Sequence, residues 1–323
     1  KLLEDEDGFI WVVTAAGIDK FDPYQELFYH CRFSKSIDNR PDINDISLDK
    51  DQNLWLGTTN GLFFIEYHSL EMKPIELDIS FMHVESLKVD HQNQLWMGSG
   101  NYMINRYDID TKILKKYPIN ALKDIPYLDL ISRIYEDING KIWFSAYYNK
   151  VVSETPSIFY FDQQQDKILQ FSDMQDVISE NDLETMFSAS WEFESEKNVL
   201  WAASTQASIA KFDFGKDELV HYPEYDNLLW HREIEKSKLY IDSKGLLWVG
   251  TNGDGVFILP FESNNFNLVN VDLYNQITQK SIRSFCEDEE YYWFGGYFGI
   301  GKIDKQTGAI SNLRDETMAY SMT

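Results

Sequence analysis

The chain has 323 residues, with 29 Lys and Arg against 53 Asp and Glu, and a formal net charge of −24 at pH 7. This charge opposes binding to nucleic acid and to anionic lipid head groups. Apolar residues form 43% of the chain and aromatic residues 15%, which predicts a large folded core and excludes a disordered chain. The length suits either two domains or one large repetitive domain.

Two further classes of protein are disfavoured by simple counts. No apolar run reaches the roughly 18 residues of a membrane helix, and Lys1 to Asp5 lack the long apolar stretch of a signal peptide. We therefore expect this stretch of chain to make no membrane contact by itself. The two cysteines, Cys31 and Cys286, are too few for a disulfide framework and are expected to be thiols.

Tryptophan marks a repeat along the whole chain. Seven of the nine tryptophans recur at intervals of 41 to 58 residues, a period typical of propellers and solenoids. In five units an Asp stands six residues before the Trp, and Gly or Asn often lies between them, as in a tight hairpin turn. The seven are Trp11, Trp55, Trp96, Trp143, Trp201, Trp248 and Trp293.

Each unit contains four short apolar segments separated by turn residues, which predicts four antiparallel strands. We therefore predict an all-β fold, a seven-bladed β-propeller of four-stranded antiparallel blades, in which residues 1–323 form one domain with a blade centred on each of the seven tryptophans. Residues 315–323 are a possible lead-in to a following domain. The fourth unit carries an insertion from Tyr147 to Pro156, and the fifth has a longer first hairpin.

The repeated Trp and Asp residues could be read as a carbohydrate or metal site. A Trp at the same register in every blade is more simply a wedge between neighbouring sheets, and the Asp is more simply a turn residue. The structural interpretation is therefore preferred for both sets. The six histidines lack metal-ligand spacing, and no motif of catalytic residues is present, so we expect no metal, no cofactor and no catalytic residue.

Irregular loops indicate where a ligand would bind. The loops between second and third strands, and those between blades, are unequal in length, and in a propeller both sets surround one end of the central channel. Aromatic rings that stack on sugars, together with cations and amides that bond hydroxyl groups, favour a glycan-binding surface there. The candidate ligand-binding residues are Tyr102, Tyr147, Tyr148, Trp230, Arg232, Arg283, Tyr297 and Phe298.

Several units resemble the two-component regulator propeller repeat, above all Gly8-Phe9-Ile10-Trp11, the stretch from Leu54 to Leu62 and the stretch from Gly245 to Gly255. The resemblance extends over essentially the whole chain and is most degenerate in the fifth unit. It implies the periplasmic sensor region of a membrane-bound hybrid two-component regulator of Bacteroides-like bacteria. Such regions usually hold two propellers and an immunoglobulin-like domain, with the kinase elsewhere in the parent protein.

The function that follows is a ligand-binding sensor propeller that recognises an oligosaccharide or takes part in relaying its signal, without enzymatic activity of its own. The expected partners are the ligand, the neighbouring propeller and immunoglobulin-like domain of the parent, and a second copy of the chain. Two alternatives stay open: a propeller enzyme acting on polysaccharide, such as a lyase or glycosidase, and a propeller that serves only protein interaction or dimerisation.

Overall fold

A computed structural model gives the structure of the protein. It describes residues 1–14, 16–34, 40–77, 83–99, 103–119, 128–137, 139–148, 157–170, 190–194, 197–204, 208–216, 218–222, 238–242, 245–250, 256–259, 282–296 and 299–313. The regular elements of these residues are 28 β-strands. Among the residues described, none lies in a helix long and apolar enough to cross a bilayer.

The strands form seven sheets that follow one another along the chain. Blade 1 contains β1 (Leu2–Glu4), β2 (Ile10–Thr14), β3 (Gly17–Asp22) and β4 (Leu27–His30). Blade 2 contains β5 (Arg32–Phe33), β6 (Ile43–Leu48), β7 (Leu54–Thr58), β8 (Gly61–Ile65) and β9 (Glu71–Ile75). Blade 3 contains β10 (Val84–Val89), β11 (Gln94–Ser99), β12 (Met103–Asp108) and β13 (Leu114–Pro118). Blade 4 contains β14 (Leu128–Glu136), β15 (Ile142–Tyr148), β16 (Ser157–Asp162) and β17 (Lys167–Gln170).

The remaining three blades repeat the same order of strands. Blade 5 contains β18 (Ser190–Glu194), β19 (Val199–Ser204), β20 (Ser208–Asp213) and β21 (Glu218–His221). Blade 6 contains β22 (Lys238–Ile241), β23 (Leu247–Gly250) and β24 (Val256–Leu259). Blade 7 contains β25 (Ile282–Glu287), β26 (Tyr291–Gly296), β27 (Gly299–Asp304) and β28 (Ile310–Leu313).

The fold is therefore the predicted seven-bladed β-propeller of mainly four-stranded antiparallel blades. Blade 2 gains a fifth strand because β5 pairs in parallel with β9. Three strands of blade 6 lie in the described residues, and 260–281, where a fourth is expected, lie outside them. The chain forms two compact units, one built from Lys1–Tyr29, Thr185–Glu194 and Val199–Thr323, the other from His30–Glu184 and Ser195–Asn198.

A hydrogen bond between the repeated Asp and Trp explains their six-residue spacing. In blade 2 the indole Nε1 of Trp55 donates to Oδ2 of Asp49 at 2.9 Å, and Oδ1 of the same carboxylate accepts two backbone N–H bonds of the turn. The other blades repeat the indole bond at 2.7 to 3.1 Å, in the pairs Trp11 and Asp5, Trp96 and Asp90, Trp143 and Asp137, Trp201 and Glu194, Trp248 and Asp242, and Trp293 and Asp288. One carboxylate thus organises the turn and anchors the ring.

Two units alter the length of this hairpin. Trp201 pairs across its hairpin with Glu192, nine residues earlier, whereas Trp55 pairs with Ser47, eight residues earlier. The predicted longer hairpin of blade 5 is confirmed, and Glu194 supplies its carboxylate. In blade 7 the hairpin is one residue shorter, since Trp293 pairs with Cys286. In blade 5 the extra hairpin residue moves the carboxylate position away from the Trp, and the longer side chain of Glu194 still reaches the indole of Trp201.

Five of the seven tryptophans pack against residues of the next blade: Trp55, Trp96, Trp201, Trp248 and Trp293. Trp248 is 1% exposed and belongs to one cluster with Ile282, Phe285 and Phe294 of blade 7. Trp293 packs in the same way with residues of blade 1, including Leu2 and Phe21. The last and first blades of the chain are therefore neighbours, and Leu2 and Leu3 lie on the innermost strand of blade 1. Residues 315–323 lie outside the described residues.

Glycine two residues after the Trp lets the next blade come close. A Cβ added to Gly98 would lie 2.7 Å from Cβ of Ile131, on the innermost strand of blade 4. A Cβ on Gly250 would lie 2.7 Å from Cγ2 of Ile282 on the innermost strand of blade 7. Real side chains do not approach this closely, so any larger residue would force the blades apart.

Carboxylates crowd one end of the contact between blades 1 and 7. Glu4 ends β1 and lies near Asp5, Glu287 and Asp288, while Lys305 Nζ contacts Glu287 Oε2 at 2.6 Å. Burial first, and then repulsion from Asp288 and the other carboxylates, raises the pKa of Glu4 to about 7. Between its ordinary value of 4.5 and about 7, the folded chain holds this proton more tightly than the unfolded chain. Stability should therefore fall as pH rises through that window.

We expect Glu4→Gln to raise the urea midpoint of unfolding at about pH 8 and to leave it unchanged near pH 4.5, because glutamine cannot ionise. Urea titrations at the two pH values measure the difference. The matched control is Glu289→Gln, which removes an exposed carboxylate from the same hairpin of blade 7. An equal effect of Glu4→Gln at both pH values would contradict the assignment.

Candidate functional site at the loop face

Each blade has two ends of different character. The Asp turns and the turns between third and fourth strands lie at one end, here called the turn face. The loops between second and third strands, and the connections between blades, lie at the other, here called the loop face. The innermost strand of each blade begins at the loop face, so the first residues of β6, β10, β14 and β25 lie beside these loops.

A β-bulge recurs near the start of the innermost strand. The register shifts between Ile43 and Asp45 in blade 2, and between Val84 and Ser86 in blade 3. Blades 4 and 7 have the same shift, after Ile131 and after Ile282. The extra residues are Asn44, Glu85, Ser132 and Arg283. Because a bulge leaves one residue out of the ladder and redirects its side chain, Asn44, Glu85 and Arg283 differ from the alternating pattern around them.

In blades 2 and 3 the bulge residues form a polar trio with His83. Asn44 Nδ2 donates to the carbonyl oxygen of Val84 at 2.9 Å and lies 3.1 Å from His83 Nε2. The same imidazole nitrogen lies 2.9 Å from Oε2 of Glu85. The His83 side chain is 42% exposed and that of Glu85 is 30% exposed, so both can reach a ligand.

Nε2 of His83 can either donate or accept a hydrogen bond within the trio, depending on the tautomer. As an N–H donor, Nε2 of His83 bonds the carboxylate of Glu85, and as a bare nitrogen it accepts from Asn44. A hydroxyl group both donates and accepts, so it can bond this trio in either tautomer. The arrangement suits polyhydroxylated ligands.

In blades 2 and 3 the residue after the bulge forms a hydrogen bond to the next blade. Asp45 Oδ2 accepts the backbone N–H of Leu87 at 2.9 Å, and Ser86 Oγ donates to the carbonyl oxygen of Ile131 at 2.7 Å. These bonds join the innermost strands of consecutive blades. Ser86 is 1% exposed, so the position is structural. The polar trio is therefore held by a rigid inner framework.

The bulge distinguishes the two arginines of the inner strands. Arg283 occupies the bulge position of blade 7, equivalent to Asn44 and Glu85, and is half-buried. Arg133 follows the bulge of blade 4, at the position that joins neighbouring strands in blades 2 and 3. Arg283 thus stays a ligand-binding candidate.

Of the other predicted binding residues, only Tyr147 and Tyr148 lie in the part of the chain that the structure describes. Tyr147 and Tyr148 end strand β15, paired with Leu130 and Leu128, so the predicted start of the blade 4 insertion is wrong by two residues. Their backbone continues the sheet to the loop face because the strand is longer than its counterparts. The rest lie outside the described residues: Tyr102, Trp230, Arg232, Tyr297 and Phe298.

Asn44, His83 and Glu85 are not among the ligand-binding residues that the sequence predicts. The available signal was a polar residue directly after the first apolar residue of the inner strand, as in Ile43-Asn44, Val84-Glu85 and Ile282-Arg283. Within the described residues, no group of three or more His, Cys, Asp or Glu side chains could hold a metal ion.

Comparison with known proteins supports the repeat family. A family model described as the two component regulator propeller matches residues 37–60, which include β6, the Asp49 turn and Trp55. The predicted resemblance to that repeat is confirmed. A comparison with curated protein sequences gives no match.

Solved structures show the same fold at low sequence identity. A catalytically inactive virginiamycin B lyase from Staphylococcus aureus with quinupristin is 15% identical, with 87% of each chain covered and a TM-score of 0.58. PorZ, a surface component of the type-IX secretion system of Porphyromonas gingivalis, is 12% identical over 95% of this chain and 50% of its own, with a TM-score of 0.60. The extracellular domain of the putative one component system BT4673 from B. thetaiotaomicron is 13% identical over 98% of this chain and 54% of its own, with a TM-score of 0.45. The chain thus spans about half the length of the last two.

Proposed function

Because this chain carries the two component regulator propeller repeat on a seven-bladed β-propeller, we propose that it is a sensor propeller of a membrane-bound hybrid two-component regulator. Its ligand is an oligosaccharide, it is located in the periplasm, and it has no catalytic activity of its own. Its neighbours in the parent protein are a second propeller and an immunoglobulin-like domain, and a second copy of the chain is a possible partner. Any kinase activity belongs to the parent.

The observation that carries the proposal is the polar trio of Asn44, His83 and Glu85 at the loop face. Its three side chains come from two blades, two of them stand at bulges of the inner strands, and an imidazole and a carboxylate are accessible. Such preorganised donors and acceptors are what recognition of sugar hydroxyl groups requires. Arg283 occupies the equivalent bulge position within blade 7 and is a separate candidate.

The enzyme alternative arises because the virginiamycin B lyase has a similar fold. A fold by itself does not decide between binding and catalysis. A propeller lyase or glycosidase would convert a bound oligosaccharide, whereas a sensor releases it unchanged. The protein-interaction alternative predicts no oligosaccharide binding at all. One experiment therefore separates the three.

Isothermal titration calorimetry should be run with neutral oligosaccharides of glucose, mannose, xylose, arabinose and galactose, and with uronic-acid oligosaccharides, followed by mass analysis of the recovered ligands. We expect at least one to bind and to be recovered intact. Asn44→Ala and Glu85→Gln should each weaken that binding by about tenfold or more, the loss expected for one or two hydrogen bonds. The matched control, Glu71→Gln, changes an exposed carboxylate on β9 and should bind normally.

Two outcomes would reject the proposal. Shortened or unsaturated products would establish the enzyme, and absence of binding across the panel would favour the interaction module. A variant that binds weakly but also unfolds at lower temperature is uninformative about contact, so thermal midpoints are compared first. Glu85 is partly exposed, and Glu85→Gln should leave the midpoint nearly unchanged, whereas Asn44→Ala also removes the bond to the Val84 carbonyl and should lower the midpoint slightly.

A further inference from the structure

A cavity lies on the turn face, between blades 3 and 4. The cavity has a volume of about 280 Å³, close to the lower limit of about 300 Å³ for small-molecule pockets. Its lining combines apolar, amide and charged side chains, among them Gln92, Trp96, Arg106, Phe161, Gln163 and Asp166. All come from one compact unit of the chain.

An aromatic cage fixes the guanidinium group of Arg106. Its Cζ lies 5.3 Å from the ring centre of Trp96, 5.4 Å from that of Tyr117 and 5.0 Å from that of Phe161. Contacts of this kind hold a cation over ring faces without using its N–H groups. The ring contacts thus position the guanidinium group beside the cavity, and the side chain is 18% exposed.

The acidic residues of the cavity already have other partners. Asp166 accepts from the hydroxyl of Tyr117 at 2.8 Å and from Nζ of Lys115 at 3.0 Å, while its contact with Arg106 is 3.5 Å. Asp90 accepts the indole N–H of Trp96 and the two backbone N–H groups of its turn. Within the described part of the chain, the 3.5 Å contact is the one ion pair of Arg106.

The residue paired with the Trp on the third strand varies between blades. It is a lysine in blades 1, 5 and 7, an apolar or aromatic residue in blades 2, 4 and 6, and Arg106 in blade 3: Lys20, Lys211, Lys302, Phe64, Tyr160 and Ile258 are the other six. Lys20 is paired with Asp5 at 2.9 Å, and Lys302 with Glu26 at 3.0 Å. Packing against the Trp therefore requires no guanidinium group, and a planar fork of donors beside a cavity is an additional feature of Arg106.

We propose that this cavity binds a small molecule bearing a carboxylate, of the size and polarity of a sugar acid. Arg106 bonds the carboxylate through two parallel N–H groups, the geometry in which guanidinium and carboxylate pair most strongly. The exposed amides of Gln92 and Gln163 bond hydroxyl groups at the mouth of the cavity. This site lies at the opposite end of the blades from the polar trio and does not depend on it.

The test uses D-glucuronate as the probe, with D-glucose and methyl D-glucuronate as ligands that lack the free carboxylate. Calorimetry and ligand-detected NMR should show binding of glucuronate and at least about tenfold weaker binding of the two neutral sugars. Arg106→Lys keeps the cation over the rings but removes the fork, and should weaken glucuronate binding by about tenfold or more.

Two further variants keep the result independent of folding. Gln163→Trp fills the mouth without touching Arg106 and should also abolish binding, whereas Lys211→Arg places the same group over Trp201 of blade 5 and should change nothing. Equal binding of glucose and glucuronate, or unchanged affinity in both cavity variants, would overturn the proposal. Loss of glucuronate binding on Glu85→Gln but not on Arg106→Lys would assign the acid to the loop face and overturn it equally.

Discussion

Replacing Trp248 by alanine is expected to lower the free energy of unfolding by about 3 to 5 kcal/mol, the range for removal of a buried large aromatic side chain. Trp248 is 1% exposed and packs on Ile282 and Phe285 of the next blade. Its indole N–H also donates to Asp242 at 2.8 Å. The substitution therefore leaves a cavity between two blades and a carboxylate without one of its donors.

Urea unfolding followed by circular dichroism measures this loss. Trp248→Phe is the matched variant, because it keeps most of the ring packing and removes the N–H donor, and it should cost clearly less than alanine. A loss below about 1 kcal/mol for Trp248→Ala would show that the ring does not hold neighbouring blades together.

Replacing Asp49 by alanine should cost about 2 to 4 kcal/mol, because several buried donors lose one acceptor together. The carboxylate accepts from the backbone N–H groups of Asp51 and Asn53, from the Asn53 amide, and from the indole of Trp55. Asp49 is 3% exposed, so water cannot replace these bonds without opening the turn.

Asp49→Asn should show an intermediate loss, since its amide oxygen can still accept while its NH₂ group cannot accept from the indole. Asp51→Ala, at an exposed position of the same turn, is the control and should be nearly neutral. If the asparagine and alanine variants lost equal stability, the bond to the Trp55 indole rather than the turn would dominate. Near-neutral behaviour of both would contradict the role assigned to Asp49.

The fold was predictable because its signals are local and repeated. Asp49, Gln52 and Trp55 lie within one hairpin, and the left-handed φ of 62° at Gln52 falls at the turn position where other blades have Gly or Asn. Seven copies of that hairpin fix the number of blades. The indole hydrogen bond could not be derived from spacing, because a six-residue interval fits a turn residue and a wedge without any contact between them.

The candidate site was less predictable because it depends on register and on contacts between blades. Alternation along β25 leaves the direction of Arg283 undecided until the bulge is known, since one inserted residue reverses the face of every residue before it. The trio joins Asn44 to His83, 39 residues apart, and no local pattern connects them. Arg106 looks like an ordinary strand cation until Tyr117 and Phe161 are placed around it.

The central claim is that this propeller recognises its ligand at the loop face. Hydrogen–deuterium exchange with the oligosaccharide that binds most tightly in the calorimetric panel tests it most directly, because exchange reports protection strand by strand. We expect slower exchange at the start of β6 and β10, which carry Asn44 and Glu85. Protection confined to the Asp turns around Asp49 and Asp90, or no protection at the starts of these inner strands, would contradict the claim.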